Sequence, residues 1–182
     1  MEFHLNPGEQ QILLRTAREA ITVELERREP RFPQPTEALR EKCGAFVTLH
    51  KRGTLRGCIG FIVADKPLFE TVVEAARCSA FADPRFPALT GAELKQIDIE
   101  ISVLSPLRRI ESVEEIQVGV HGIVMRSGMQ SGLLLPQVAT EYGWDRGTFL
   151  AHTCRKAGLP GDCWKSPDTQ IEVFSAQVFG EK

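Results

Sequence analysis

Between residues 97 and 103 the chain alternates Ile97, Ile99, Ile101 and Val103 with Asp98, Glu100 and Ser102. Only an extended strand turns a spacing of two into one apolar and one polar face. Such a strand belongs to a sheet covered on one side, a pattern typical of antiparallel sheets. A doubly wound parallel sheet would instead make its strands apolar on both faces.

The neighbouring segments agree with that reading. Asn6-Pro7-Gly8-Glu9 offers an N-cap, a proline at the first helical position and a glutamate at N3. Leu13, Ala17, Ala20, Ile21 and Leu25 then recur at helical spacing and end before Pro30. Residues 31–36, with Pro33 and Pro35, read as an extended connector. Residues 45–50 and 55–63 are β-prone runs around Lys51-Arg52-Gly53-Thr54, a hairpin signal, and their apolar character on both faces suggests a place well inside the sheet. A two- or four-residue loop would set Cys58 against Val47 and Arg56 against Leu49, whereas a bulged three-residue loop shifts the register by one. Helical spacing returns over 65–80, and Thr90-Gly91-Ala92-Glu93 and Ser112-Val113-Glu114-Glu115 are capping boxes for short helices. Strands over 118–125 and 132–135 flank a Ser127-Gly128 turn. Helices over 136–142 and 145–157 follow, the second closed by Gly158 and Pro160, and residues 171–179 form a last strand. The order lacks a βαβ repeat, so the expected class is α+β: an antiparallel or mixed sheet with flanking helices, in one domain over residues 1–182.

A 42% hydrophobic fraction is enough for a packed core, and a net charge of -2 gives no general attraction for nucleic acid. The amino terminus has neither a basic segment nor an apolar stretch of the secretory type, so the expected location is cytoplasmic. Cys43, Cys58, Cys78, Cys154 and Cys163 are odd in number and contain no C-x-x-C pair, which predicts reduced thiols rather than a disulfide framework. His152, Cys154 and Cys163 lack the spacing and fourth ligand of a structural zinc site, so no metal or other cofactor is expected.

The chemistry concentrates in Leu55-Arg56-Gly57-Cys58-Ile59-Gly60. In a regular strand Arg56 and Cys58 leave the same face, and a cation there would favour the thiolate. Cys58 is thus a candidate nucleophile or redox thiol; a small core thiol is the plainer alternative. His121, with Gly122 beside it, could act as base or acid, and Glu100 with Asp98 could move protons or simply line the wet side of a strand. In Asp83-Pro84-Arg85-Phe86, Arg85 could clamp a carboxylate or phosphate, or pair with Asp83 within a turn. Signatures of P-loops, dinucleotide folds, zinc proteases, serine hydrolases and base deaminases are absent.

Together with that hexapeptide, Ser79 to Phe86, Ile99 to Pro106, His121-Gly122-Ile123, Gly132 to Ala139 and Lys156-Ala157-Gly158-Leu159-Pro160 resemble the AMMECR domain family, in order and over nearly the whole chain. The resemblance implies two unequal lobes with a cleft between them, the larger holding both chain ends around an antiparallel sheet. It implies Cys58, His121 and Glu100 as catalytic candidates, and Arg56, Asp83 and Arg85 as substrate-binding ones. Similar proteins form the A component of the AmmeMemoRadiSam set, so a Memo-like protein and a radical-SAM protein are the implied partners, with a small-molecule ligand of unknown identity. The family has no settled reaction. An enzyme or ligand-binding protein is the first reading, a non-catalytic accessory module the second, and RNA- or nucleotide-related binding the third.

Overall fold

The computed structural model describes residues 4–181. They fall into two compact units. The first takes in the described residues up to Leu104 and those from Gln177 onward, and the second is Ser105–Ala176.

In the first unit helix α1 is Pro7–Glu26, strands β1 and β2 are Ala45–Lys51 and Thr54–Phe61, helix α2 is Leu68–Phe81 and strand β3 is Ile97–Leu104. The Asn6 side chain accepts from the Glu9 N–H and the Glu9 carboxylate from the Asn6 N–H, the reciprocal cap its sequence encodes. Strand β1 pairs antiparallel with β2 on one side and β3 on the other. Helix α2 lies on β1 and β2 and against α1. That covered face holds Val47, Leu49, Ile99 and Ile101, all at most 1% exposed. Each such side chain contributes about 2 kcal/mol by leaving water. The opposite face carries Thr48, His50, Asp98 and Glu100, which is the alternation of residues 97–103 made physical.

The hairpin differs from its simplest expectation. Arg52 and Gly53 form a two-residue turn, both with positive φ (52° and 78°), as twisted hairpins favour. A bulge in the strand, at the step between Leu49 and His50, then leaves Arg56 as the extra residue. The register therefore shifts after the turn, and Cys58 faces Thr48 instead of Val47. Nor is β2 inside the sheet: it ends the strand order. Its apolar composition misleads because side chains from the α2 end, rather than another strand, cover its open edge.

The second unit contains β4 (Arg108–Arg109), β5 (His121–Ser127), β6 (Gln130–Leu134), α3 (Pro136–Glu141), α4 (Arg146–Lys156) and the first part of β7 (Gln170–Gly180). Strand β5 pairs antiparallel with β6 and β7, and β4 adds a short pairing to β7 at Glu172 and Val173. Helix α4 packs over β5 and β6, burying Phe149 and Leu150 beside Ile123 and Met125. The rest of β7 belongs to the first unit, where Glu181 beyond it accepts from Arg18 and from the Ile99 N–H.

The expectation of five reduced cysteines is wrong for two of them. Cys154 and Cys163 form a disulfide, with Cα atoms 5.8 Å apart, while Cys43, Cys58 and Cys78 are free. The turn through Gly158, whose φ is +76°, folds the chain back and brings the two sulfurs together, a juxtaposition the spacing alone does not announce. Closing so short a loop restricts the unfolded chain by about 3 kcal/mol. Reduction with dithiothreitol is therefore expected to lower the unfolding free energy of the second unit by about that amount, measured by urea titration with and without reductant. An unchanged midpoint would show that the bridge contributes nothing. No helix among the described residues is long and apolar enough to cross a membrane.

Candidate functional site

Two segments remote in sequence interlock at strand β2. The last turn of α2 brings the Ser79 carbonyl so close to Gly57 that a Cβ there would stand 2.1 Å from its oxygen. Glycine is required by contact rather than by conformation. Ser79 Oγ accepts from the Ile59 N–H (2.9 Å) and donates to the Val47 carbonyl (2.7 Å), so one buried hydroxyl stitches β1 to β2.

Just beyond the helix, Asp83 Oδ2 accepts from the Cys58 N–H at 3.0 Å, and Arg85 Nη2 donates to the Cys58 carbonyl at 3.3 Å. The pair thus satisfies the backbone of an open strand edge, as a neighbouring strand would. Arg85 grips Asp83 through Nε and Nη2 (3.0 and 2.8 Å). Their exposures differ: the Asp83 side chain is 1% exposed, that of Arg85 54%. Hydrogen bonds from Arg85, and those from the Cys58 and Arg85 N–H groups, hold the Asp83 carboxyl well below the usual carboxylate range against the opposing effect of burial. Asp83 in turn raises the pKa of Arg85, chiefly through the side-chain hydrogen bonds between them.

Arg56 has a different task. The bulge turns it into a buried position, where Nε and Nη2 each reach Glu93 at 3.1 Å and Nη2 also donates to the Pro87 carbonyl. Lys51 Nζ joins the same carboxylate at 2.9 Å. Arg56, then Lys51 and the Thr90 N–H, hold Glu93 well below the usual carboxylate range. Arg56 therefore braces the loop after α2, and Arg85 is the guanidinium bonded to the Cys58 backbone.

The thiol itself lies on the sheet face away from the helices. Cys58 pairs across the strands with Thr48, and Thr48 with Glu100, so the three form a row. Cys58 Sγ and Thr48 Oγ1 are 3.2 Å apart, within hydrogen-bonding distance. Cys58 is half-buried and free. Of the other free thiols, burial pushes Cys43 up to about 11 and, with Glu74, raises Cys78. His121 is in the second unit, at the start of β5, where its Nδ1 accepts from the Gln117 N–H at 3.1 Å. Among the described residues, no three His, Cys, Asp or Glu side chains are grouped to hold a metal ion.

Thus Arg85, Asp83, Cys58, Thr48 and Glu100 are brought together around one strand, while Arg56 is drawn off to Glu93. Sequence reasoning misses Thr48, Ser79 and Glu93. Glu93 does carry a local signal: its carboxylate accepts from the Thr90 N–H at 3.1 Å, as the capping box implies. Its second partner, Arg56, depends on tertiary contact.

The family model AMMECR1 matches residues 14–179. The chain belongs to the AMMECR1 family. Among its AMMECR1-family relatives, Protein MK0488 of Methanopyrus kandleri is 50% identical over 184 residues, spanning 96% of this chain and 89% of that protein. A protein of Methanothermobacter thermautotrophicus is 46% identical over 186 residues, spanning 97% and 96%. The crystal structure of the uncharacterized protein PH0010 from Pyrococcus horikoshii matches with a TM-score of 0.87 and 42% identity, over 98% of this chain and 94% of that one. The α+β fold with an antiparallel sheet is thus that of the AMMECR1 family.

Proposed function

We propose that Cys58, Thr48 and Arg85 form a thiol site for a small anionic substrate in this AMMECR1-family protein. One observation carries the reading: the backbone of Cys58 is fixed by Asp83 and Arg85, while its free, half-exposed thiol is engaged by a hydroxyl. Arg85, anchored through Nε and Nη2, keeps more than half of its side chain exposed. A guanidinium held in this way can bind a carboxylate or phosphate and also favour the thiolate. Glu100, in the same cross-strand row, is the candidate for moving a proton.

The test uses two alkylating agents that differ in charge, iodoacetate and iodoacetamide, with Cys58 modification followed by mass spectrometry. Arg85→Gln should slow carboxymethylation about tenfold and carbamidomethylation about threefold, because the anionic reagent loses both its binding partner and the thiolate. Arg85→Lys should recover most of the loss. Equal slowing of the two reagents, or none, would contradict an anion site.

A second reading is an accessory module that docks a Memo-like protein and a radical-SAM protein. The internal use of Arg56, Gly57, Ser79 and Asp83 favours it, since these residues explain the motif as architecture. It predicts that Cys58→Ser leaves co-purification with those partners unchanged and that surface charge reversals abolish it.

A further inference from the structure

The second unit has a polar pocket of about 250 Å³, remote in its chemistry from the thiol site. Arg109 and Glu111 both line it, with hydroxyl-bearing Ser112, Ser166 and Thr169 and the Trp164 side chain. Arg109 ends β4 and Glu111 lies in the bend that follows; both are exposed, while Ile110 between them is buried in the core. Neither charge is spent elsewhere: among the described residues Arg109 and Glu111 have no side-chain partner, not even each other. Arg108, by contrast, faces the other way and pairs with Glu115 at 2.6 Å. The far wall is fixed, because Trp164 follows Cys163 of the disulfide directly.

Two unpaired, opposite charges in one small polar pocket suit a ligand that brings both complements. We infer that this pocket binds a small zwitterion of the α-amino-acid class, its carboxylate on Arg109 and its ammonium on Glu111. A volume of 250 Å³ admits an amino acid with a short polar side chain, whose hydroxyl or amide the serine and threonine hydroxyls can meet. A simple anion would leave Glu111 unmatched and repelled, and a simple cation would do the same to Arg109.

The full-length, 15N-labelled protein with L-serine as probe tests this by amide chemical shifts. Saturable shifts are expected over residues 109–113 and 164–171. N-acetyl-L-serine, which lacks the ammonium, and L-serine methyl ester, which lacks the carboxylate, should each bind at least about tenfold more weakly. Arg109→Gln and Glu111→Gln should each weaken L-serine by about tenfold, whereas Arg108→Gln should leave it within about twofold, with the dispersion of each spectrum checking the fold. Absence of saturable shifts up to 50-fold above millimolar concentration, equal binding of the blocked analogues, or indifference to Arg109→Gln would overturn the inference.

Discussion

Gly57→Ala is expected to destabilise the protein by about 3 kcal/mol or more, lowering the melting temperature by roughly 6–12 °C. The new Cβ would lie 2.1 Å from the Ser79 carbonyl oxygen, a backbone atom in the last turn of α2 that cannot rotate away. Relief requires the helix end to withdraw from β2. That movement would strain the Ser79 bridge to Ile59 and Val47 and the Asp83 bond to Cys58. Gly91→Ala is the control, since nothing lies within 4 Å of its added Cβ and its φ is not positive. It should change stability by less than about 0.5 kcal/mol. Thermal and urea unfolding of both variants measure the contrast; a Gly57→Ala protein as stable as the parent would mean that the two segments do not interlock.

Acid should undo the same region. Asp83 and Glu93 both have folded-state pKa values below those of ordinary carboxyls, the first chiefly through Arg85 and the second chiefly through Arg56. A depressed folded pKa contributes stability that is complete above the unfolded value, near 4, and is lost as pH falls below it toward the folded one. The urea midpoint is therefore expected to hold between pH 7 and about pH 5 and to fall steeply below about pH 4. Asp83→Asn removes one of the two linked protons and leaves Arg85 without its counter-charge. It should cost about 2–3 kcal/mol at pH 7, toward the modest end for a buried carboxylate because Arg85 is half exposed, and it should flatten the acid limb. An unaltered acid limb in Asp83→Asn would remove this carboxylate from the account.

The alternation of Ile97 to Val103 makes the polar and apolar faces of β3 readable from sequence because strand periodicity is a local property. The Asn6 cap and the helical spacing that follows are readable for the same reason. Arg56 shows where that reasoning stops. A period of two places it beside Cys58, but a single bulge, set by how β2 meets β1, redirects it to Glu93. The edge position of β2 is hidden in the same way. Its apolar letters look like a central strand, since the edge is covered by Asp83 and Arg85 through side-chain bonds to the backbone. Thr48 gives no sequence signal, and Ser79 enters only as the first residue of a family-like segment, because a hydroxyl's role depends on which strand lies opposite. The Cys154–Cys163 bridge likewise follows from the fold of the intervening turn.

In the proposed thiol site Arg85, rather than Arg56, is the cationic partner of Cys58. Residue-resolved alkylation of the native protein by iodoacetate at neutral pH tests it most directly, comparing Arg85→Gln with Arg56→Lys after circular dichroism has shown both to be folded. Cys58 should be the fastest of the three free thiols, slowed about tenfold by Arg85→Gln and by less than about twofold by Arg56→Lys. The reverse order, with Arg56→Lys the slower variant, would contradict it.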